Sequence, residues 1–197
     1  VLHRGYLPML REQVDAFLIR SGDRVLSALS TGFDATLSDW GTALLAGATL
    51  VLAPPMVLRS QGELLGFMHQ RRVTHADLPP PVVALLDPAT LPPTLRTIVV
   101  GGEPSDPGTL RRLASRVRVV NVYGPSEATV CCGLDVVDPE DWDAPLVGRP
   151  VAGTVFRIET PGGPGDEGEL LVGGPLLARG YRGDDESSSR AFVMRDG

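Results

Sequence analysis

Short runs rich in β-branched residues alternate with longer amphipathic stretches along the first two thirds of the chain. The short runs predict strands at 25–29, 49–53, 73–76, 97–100 and 117–122. The amphipathic stretches predict helices at 6–19, 36–45, 61–70, 81–86 and 107–115. Strands that alternate with helices usually form a parallel sheet covered on both faces, so the pattern predicts a doubly wound, mostly parallel α/β fold.

The pattern changes near residue 140, after the acidic stretch 138–141. Beyond it, strands are predicted at 155–159 and 169–172, and the segment rich in Gly and Pro at 161–165 is typical of a turn between two paired strands. We therefore predict a Rossmann-like α/β part over residues 1–140 and a small β-rich subdomain that begins at 141 and extends to 197.

Composition and charge exclude several classes of protein. With 43% apolar and 21% charged residues, the chain is typical of a soluble globular protein. The net charge of −6 leaves no basic stripe that could follow a nucleic-acid backbone. No apolar run of about 20 residues predicts a membrane span, and no signal peptide is recognisable. The adjacent cysteines Cys131 and Cys132 are unsuited to an ordinary disulfide, so a cytoplasmic location is expected.

The basic residues are unusual, because all eighteen are arginine and none is lysine. A lysine Schiff base and a phosphate-binding lysine are therefore excluded within this chain. The chain begins at Val1 and ends at Gly197 just after an apolar run, which favours a piece of a longer protein.

Candidate chemistry is concentrated in the segment Asn121-Val122-Tyr123-Gly124-Pro125-Ser126-Glu127, at the end of the last predicted parallel strand. Open α/β sheets bind their ligands at this edge. Tyr123 offers an aromatic face to a base, and Asn121 offers a donor and an acceptor to an exocyclic amine. Ser126 can donate to a phosphate oxygen, and Glu127 can bind a hard cation. The alternative is an ordinary turn in which Ser126 caps a helix.

This segment resembles the YGPTE-type signature of the adenylate-forming superfamily, with Ser126 in place of the commoner threonine. Five further segments match that family in order: Phe33-Asp34-Ala35, Val100-Gly101-Gly102-Glu103, Val147-Gly148-Arg149-Pro150, the GEL…GG…ARGY-like stretch 168–181, and Arg190 with Phe192. The chain is thereby similar to the amino-acid adenylation domains of nonribosomal peptide synthetases, a family of secondary metabolism and antibiotic biosynthesis.

The resemblance implies a ligase that uses ATP and Mg²⁺. In the implied reaction, the carboxylate of an amino acid attacks the α-phosphorus of ATP and pyrophosphate leaves. The aminoacyl adenylate is then passed to the phosphopantetheine thiol of a carrier protein.

The resemblance also assigns nucleotide-binding roles to particular residues of this chain. Tyr123 would stack on adenine, and Asn121 would face its exocyclic amine. Ser126 and Glu127 would be the catalytic pair, with Ser126 at the α-phosphate and Glu127 on Mg²⁺. The remaining cofactor-binding residues would be Gly102, Glu103 and Gly124, although Glu103 equally fits a solvated loop charge.

A substrate pocket follows from the same resemblance, and its residues would be Asp34, Ala35, Ser38, Asp77, Val99, Gly101, Val122, Val130 and Cys131. Asp34 would bind the substrate α-ammonium; alternatively, its charge only favours a helix N-terminus. Asp77 is a second carboxylate among mostly apolar residues, which favours a substrate side chain with an amine, guanidine or other donor. Alternatively, Asp77 caps the helix near Pro80 and faces away.

Several parts of the family pattern have no counterpart in this chain. The lysine-containing phosphate loop, the hinge and the C-terminal subdomain are missing, and the ribose-binding aspartate would follow a segment like 195–197. We therefore expect the chain to need the remainder of the domain as a partner and to be inactive alone. Two alternatives stay open: an acyl- or aryl-CoA ligase of the same superfamily, which has no need of Asp34, and a non-catalytic module that binds nucleotide or partner.

Overall fold

The computed structural model describes residues 1–160, 163–164 and 166–194. In this part, seven strands form the larger of two sheets: β1 (Arg24–Ser27), β2 (Thr49–Leu52), β3 (His75–Asp77), β4 (Thr97–Gly101), β5 (Arg118–Tyr123), β6 (Gly133–Val136) and β7 (Arg149–Pro150). Three strands form the smaller sheet: β8 (Val155–Thr160), β9 (Gly163–Pro164) and β10 (Glu169–Gly173).

The helices of this part are α1 (His3–Phe17), α2 (Ala35–Leu45), α3 (Gln61–Arg71), α4 (Pro80–Val83), α5 (Pro107–Ala114) and α6 (Asp185–Ala191). Polar side chains cap the N-termini of several of these helices. Ser60 accepts a hydrogen bond from the backbone N–H of Glu63 at the start of α3, and Asp106 accepts one from Thr109 at the start of α5. These caps satisfy N–H groups that have no partner within the helix.

The larger sheet has the strand order β2-β1-β3-β4-β5-β6-β7. The first five strands are parallel, and β6 and β7 continue the sheet in antiparallel pairing. The predicted doubly wound, mostly parallel fold is therefore confirmed. The chain moves outward from β1 to β2 and then returns past β1 to β3, so the strand order reverses between β1 and β3. Ligand crevices form at such a reversal.

Both faces of the larger sheet are covered, as the fold class requires. Leu26 and Val119 pack into a core that includes residues of α3 and α5, whereas their neighbours Val25 and Val120 pack into a second core with residues of α1 and α2. Successive strand residues point to opposite faces, so an apolar run buries side chains on both sides. The uninterrupted apolar runs of the sequence are explained by this double coverage.

The smaller sheet contains the predicted hairpin, with β8 and β10 paired antiparallel from Glu159–Glu169 to Val155–Gly173. Of the predicted turn, residues 161, 162 and 165 lie outside the described residues, as does 195–197. The larger sheet extends to β7 at Arg149–Pro150, beyond residue 140. The division at 140/141 stays a prediction. Among the described residues, no helix combines the length and the apolar character needed to cross a membrane.

Candidate functional site

A cavity of about 440 Å³ opens at the carboxyl ends of β1, β3, β4 and β5. It lies where the strand order reverses, which is the usual ligand position in open α/β sheets. Every residue that the sequence analysis placed in a substrate pocket lines this cavity: Asp34, Ala35, Ser38, Asp77, Val99, Gly101, Val122, Val130 and Cys131. Residues far apart in sequence are thus brought together around one space large enough for a small molecule.

Asp34 lies immediately before α2 and lines the cavity. Its side chain makes no capping hydrogen bond to the helix, although its backbone carbonyl accepts one from Leu37 at 2.8 Å. The carboxylate is therefore not used to satisfy the helix N-terminus, and it is available to a ligand in the cavity.

Asp77 is the last residue of β3 and also lines the cavity. The residue that precedes α4 is Pro79, and no side chain caps that helix. Burial raises the pKa of Asp77 to about 7, because the charged carboxylate loses its hydration. The carboxyl group is therefore neutral in mild acid and becomes charged only near neutral pH.

A third carboxyl group, Asp39 on α2, lies near Asp77 and was not recognised in the sequence. Burial and then the charge of Asp77 raise its pKa well above the ordinary value, and a hydrogen bond with Ser27 opposes that rise. Its Oδ2 atom is buried and has no hydrogen-bond partner among the described residues. Asp39 is not among the residues that line the cavity, so Asp77 lies at the cavity wall with a second carboxyl group close to it, and both favour a proton or a cation.

Gln13 is a cavity residue that the sequence analysis also missed, because α1 precedes the first strand. It is 1% exposed, and its Oε1 accepts a 2.7 Å hydrogen bond from the hydroxyl of Ser38. The available signal was a polar residue on the apolar face of α1, which buries Met9, Leu10 and Phe17.

Cys131 lines the cavity beside this glutamine. Burial raises the pKa of its thiol to about 12, and a hydrogen bond with the Gln13 side chain opposes the rise. The thiol also donates to the carbonyl of Gly133 at 3.3 Å. A buried thiol that stays protonated is a packing and hydrogen-bonding group and not a nucleophile.

The loop after β4 brings backbone close to the end of β5. A Cβ atom on Gly101 would lie 2.4 Å from the carbonyl oxygen of Val122, so only glycine fits there. The next residue, Gly102, has a φ of +84°, in the left-handed region that favours glycine. This turn directs Glu103 to the cavity, of which it is a lining residue.

The residues predicted to bind nucleotide divide into two groups. Gly102, Glu103, Gly124 and Ser126 line the cavity, whereas Asn121, Tyr123 and Glu127 are not among its lining residues.

Asn121 and Tyr123 lie on β5 with defined partners. The amide nitrogen of Asn121 donates to the carbonyl of Leu146 at 2.8 Å, and the Tyr123 ring packs edge to face with Phe156 at 6.5 Å. The hydrogen bond to Leu146 uses the amide nitrogen of Asn121 as donor, whereas an exocyclic amine would donate to the amide oxygen.

Glu127 is held by a neighbouring sequence motif. The hydroxyl of Tyr181 donates to its carboxylate, and the backbone N–H of Ala178 donates to its carbonyl at 2.7 Å. The Tyr181 ring in turn packs against Phe192 at 5.8 Å. The hydrogen bond from Tyr181 lowers the pKa of Glu127, so the carboxylate is charged at neutral pH. Residues 178 and 181 of one matched segment thus bond to Glu127, and Phe192 of another packs against Tyr181.

The charge of Glu127 bears on Mg²⁺ binding. No group of three or more His, Cys, Asp or Glu side chains within the described ranges could hold a metal. Mg²⁺ is commonly bound by one or two carboxylates together with substrate phosphates. A single ionised carboxylate beside a nucleotide therefore fits Mg²⁺, but it does not form an all-protein metal site.

Two residues between Glu127 and Cys131 have strained backbone. Thr129 and Val130 have φ angles of 56° and 67°, which β-branched residues rarely adopt. The Thr129 hydroxyl donates to the carbonyl of Leu176, which holds this turn. Strain of this kind costs about 1–3 kcal/mol per residue and is common in binding sites. No glycine marks the turn in the sequence, so it was not predicted.

Comparison with known proteins relates this geometry to a family. The family described as AMP-binding enzyme matches residues 1–182. A linear gramicidin synthase of Brevibacillus parabrevis is 36% identical over 98% of this chain, and the match covers 2% of that protein. Novobiocin biosynthesis protein H of Streptomyces niveus is 37% identical over 96% of this chain and 32% of that protein. The chain thus spans less than a third of the length of each of these two relatives.

A solved structure supports the fold independently of sequence. The adenylation domain AlmE of Vibrio cholerae, solved in complex with glycyl-adenosine-5'-phosphate, aligns over all of this chain and 40% of its own with a TM-score of 0.87. Its sequence identity is 22%, so this likeness concerns the fold alone.

Proposed function

The chain belongs to the AMP-binding enzyme family, and from this premise we propose that it forms the substrate pocket of an amino-acid-activating adenylation domain in a nonribosomal peptide synthetase. The observation that supports this proposal best is Asp34, whose side chain lines the cavity and makes no capping bond to α2. A carboxylate placed in this way suits the α-ammonium of an amino acid. Acyl and aryl acids lack that group, so the CoA-ligase alternative has no use for Asp34.

In the proposed reaction, a carboxylate oxygen of the amino acid attacks the α-phosphorus of ATP. A new oxygen–phosphorus bond forms, the bond between the α-phosphorus and the bridging oxygen breaks, and pyrophosphate leaves. Ser126 donates to an α-phosphate oxygen and stabilises the charge that develops there. Tyr123 stacks on adenine, and Asn121 accepts from its exocyclic amine. Mg²⁺, when bound at Glu127, neutralises phosphate charge.

The second half of the proposed function is transfer to a carrier protein. The phosphopantetheine thiol attacks the carbonyl of the aminoacyl adenylate, a thioester forms, and AMP leaves. Since this chain spans only part of its relatives and contains no lysine, we assign both steps to the full-length protein that contains it. A phosphate loop and a catalytic lysine would come from other parts of that protein.

Amino-acid-dependent exchange of pyrophosphate into ATP tests the proposal. The full-length protein is assayed with the common amino acids, with basic non-standard ones, and with aryl and fatty acids as controls. We expect exchange with one or a few amino acids and none with acids that lack an α-ammonium. Exchange supported by the control acids would favour the CoA-ligase alternative. Nucleotide binding without any exchange would favour the non-catalytic one.

Replacement of Glu127 tests its proposed contact with Mg²⁺. Glu127→Gln keeps the shape of the side chain but loses the charge that a hard cation prefers. We expect the Mg²⁺ concentration for half-maximal exchange to rise roughly 10–100-fold. The measurement is a Mg²⁺ titration of exchange by the full-length protein. Glu140→Gln, at an exposed position, is the matched control and should leave the titration unchanged. A normal titration for Glu127→Gln would remove Glu127 from the metal site.

A further inference from the structure

One part of the cavity wall comes from α1. Gln13 reaches the cavity from this helix, which precedes the first strand of the larger sheet. The side chain is almost fully buried, and a buried amide is costly unless its donor and acceptor atoms have partners. Its partners therefore determine what Gln13 can do.

The hydrogen-bond partner of Gln13 is a cavity residue from another element. The Ser38 hydroxyl on α2 donates to Oε1 at 2.7 Å. Cys131, in the turn before β6, lines the same cavity, and the Gln13 side chain opposes the rise in the pKa of its thiol. The Gln13 amide thus connects α1 to α2 at the cavity wall.

This connection constrains the shape of the cavity. Ser38 is 4% exposed, so its hydroxyl cannot exchange its bond to Gln13 for one to bulk water. Loss of the amide would leave a buried hydroxyl without its acceptor, which forces a rotamer change or a repacked wall. The length of the glutamine side chain also sets how far the cavity extends toward α1.

We propose that Gln13 is a specificity-determining residue of the amino-acid pocket, which limits the size of the substrate side chain and positions Ser38. This inference rests on the proposed amino-acid activation. It assigns part of substrate selection to α1, outside the strands and loops that supply most of the cavity wall.

Truncation should therefore widen the range of substrates. Gln13→Ala in the full-length protein shortens the side chain that forms this part of the cavity wall. We therefore expect kcat/KM for amino acids with larger side chains to rise about 10-fold or more relative to the preferred amino acid. The measurement is pyrophosphate exchange across a panel graded by side-chain size. If Gln13 had only a structural role, its replacement would lower the exchange rates for all amino acids together and leave the order of substrates unchanged.

A second variant separates size from hydrogen bonding and covers the case in which Gln13→Ala does not fold. Gln13→Leu keeps most of the volume but removes the hydrogen bond with Ser38. We expect KM for the preferred amino acid to rise about 10-fold, with kcat within about two-fold and no gain for larger substrates. Gln70→Ala, at an exposed position on α3, is the matched control and should change neither constant.

The results of these experiments distinguish a failure of the role assigned to Gln13 from a failure of the proposed function on which it rests. If the unmodified protein activates no amino acid, the proposed function itself is wrong. If it activates amino acids but Gln13→Ala and Gln13→Leu keep the original order of substrates and the original KM, the assignment of Gln13 is overturned. If Gln13→Ala yields no folded protein, the KM of Gln13→Leu decides.

Discussion

Asp34→Ala should abolish activation of every amino acid, with a loss of more than about 100-fold in pyrophosphate exchange. Asp34 lines the cavity and does not cap α2, so truncation removes the one charge proposed to bind the α-ammonium. An ammonium group that enters a partly desolvated cavity without a counter-ion loses several kcal/mol of interaction. Exchange is measured with the full-length protein at saturating ATP for all amino acids that the unmodified protein accepts.

The matched control for Asp34→Ala is Asp15→Ala, at an exposed position on α1. It removes the same charge from the same protein and should leave exchange intact. ATP binding by the Asp34→Ala protein should also persist, because Asp34 is assigned no contact with the nucleotide. Full exchange activity in Asp34→Ala would mean that the carboxylate does not bind the α-ammonium and that its charge only interacts favourably with the dipole of α2.

Asp77→Ala should reorder the substrates by more than about 100-fold, away from side chains with an amine, guanidine or other donor and toward apolar ones. Asp77 faces the cavity at the end of β3, and no cation of the described residues forms an ion pair with it. Truncation removes a charge that a basic side chain can pair with and that an apolar side chain cannot satisfy. The measurement is the ratio of kcat/KM between basic and apolar amino acids.

The pKa of Asp77 adds a pH dependence to this result. Because burial raises that pKa to about 7, the charged fraction of the carboxyl group grows as pH rises through the neutral range. The preference for basic side chains should therefore strengthen as pH rises from about 6 to about 8, and Asp77→Ala should lose this trend. Asp39 lies near Asp77, and burial and the charge of Asp77 raise its pKa as well, so any ionisation of Asp39 adds negative charge in the same direction as pH rises.

A capping aspartate is the control that addresses the alternative role of Asp77. Asp106 accepts a hydrogen bond from the backbone N–H of Thr109 at 2.7 Å, so Asp106→Ala should lower the melting temperature without changing the order of substrates. If Asp77→Ala behaves in the same way as Asp106→Ala, the inference about basic side chains must be withdrawn.

The sequence by itself determined the fold class and most of the cavity wall. Strand runs between amphipathic helices are enough for a doubly covered sheet, because alternating residues such as Val119 and Val120 must be buried on opposite faces. Likewise, motif residues at the carboxyl ends of parallel strands must meet at one edge of the sheet. The assignment of Asp34, Asp77 and Gly101 to one pocket was implied by the family resemblance, and the structure places all three along the wall of one cavity.

Only the tertiary structure decided which other residues join them and in what state. Gln13 and Asp39 lie on helices whose pattern predicts burial. That pattern does not show that Gln13 lines a cavity or that Asp39 lies near another carboxyl group, Asp77. The strained turn at Thr129 and Val130 depends on a hydrogen bond to Leu176, 47 positions away, which no local pattern encodes. The short strand β6 pairs with β5, and the two-residue edge strand β7 pairs with β6, so both depend on a neighbour that the tertiary structure supplies. The raised pKa of Asp77 likewise arises from desolvation, which depends on neighbours distant in sequence.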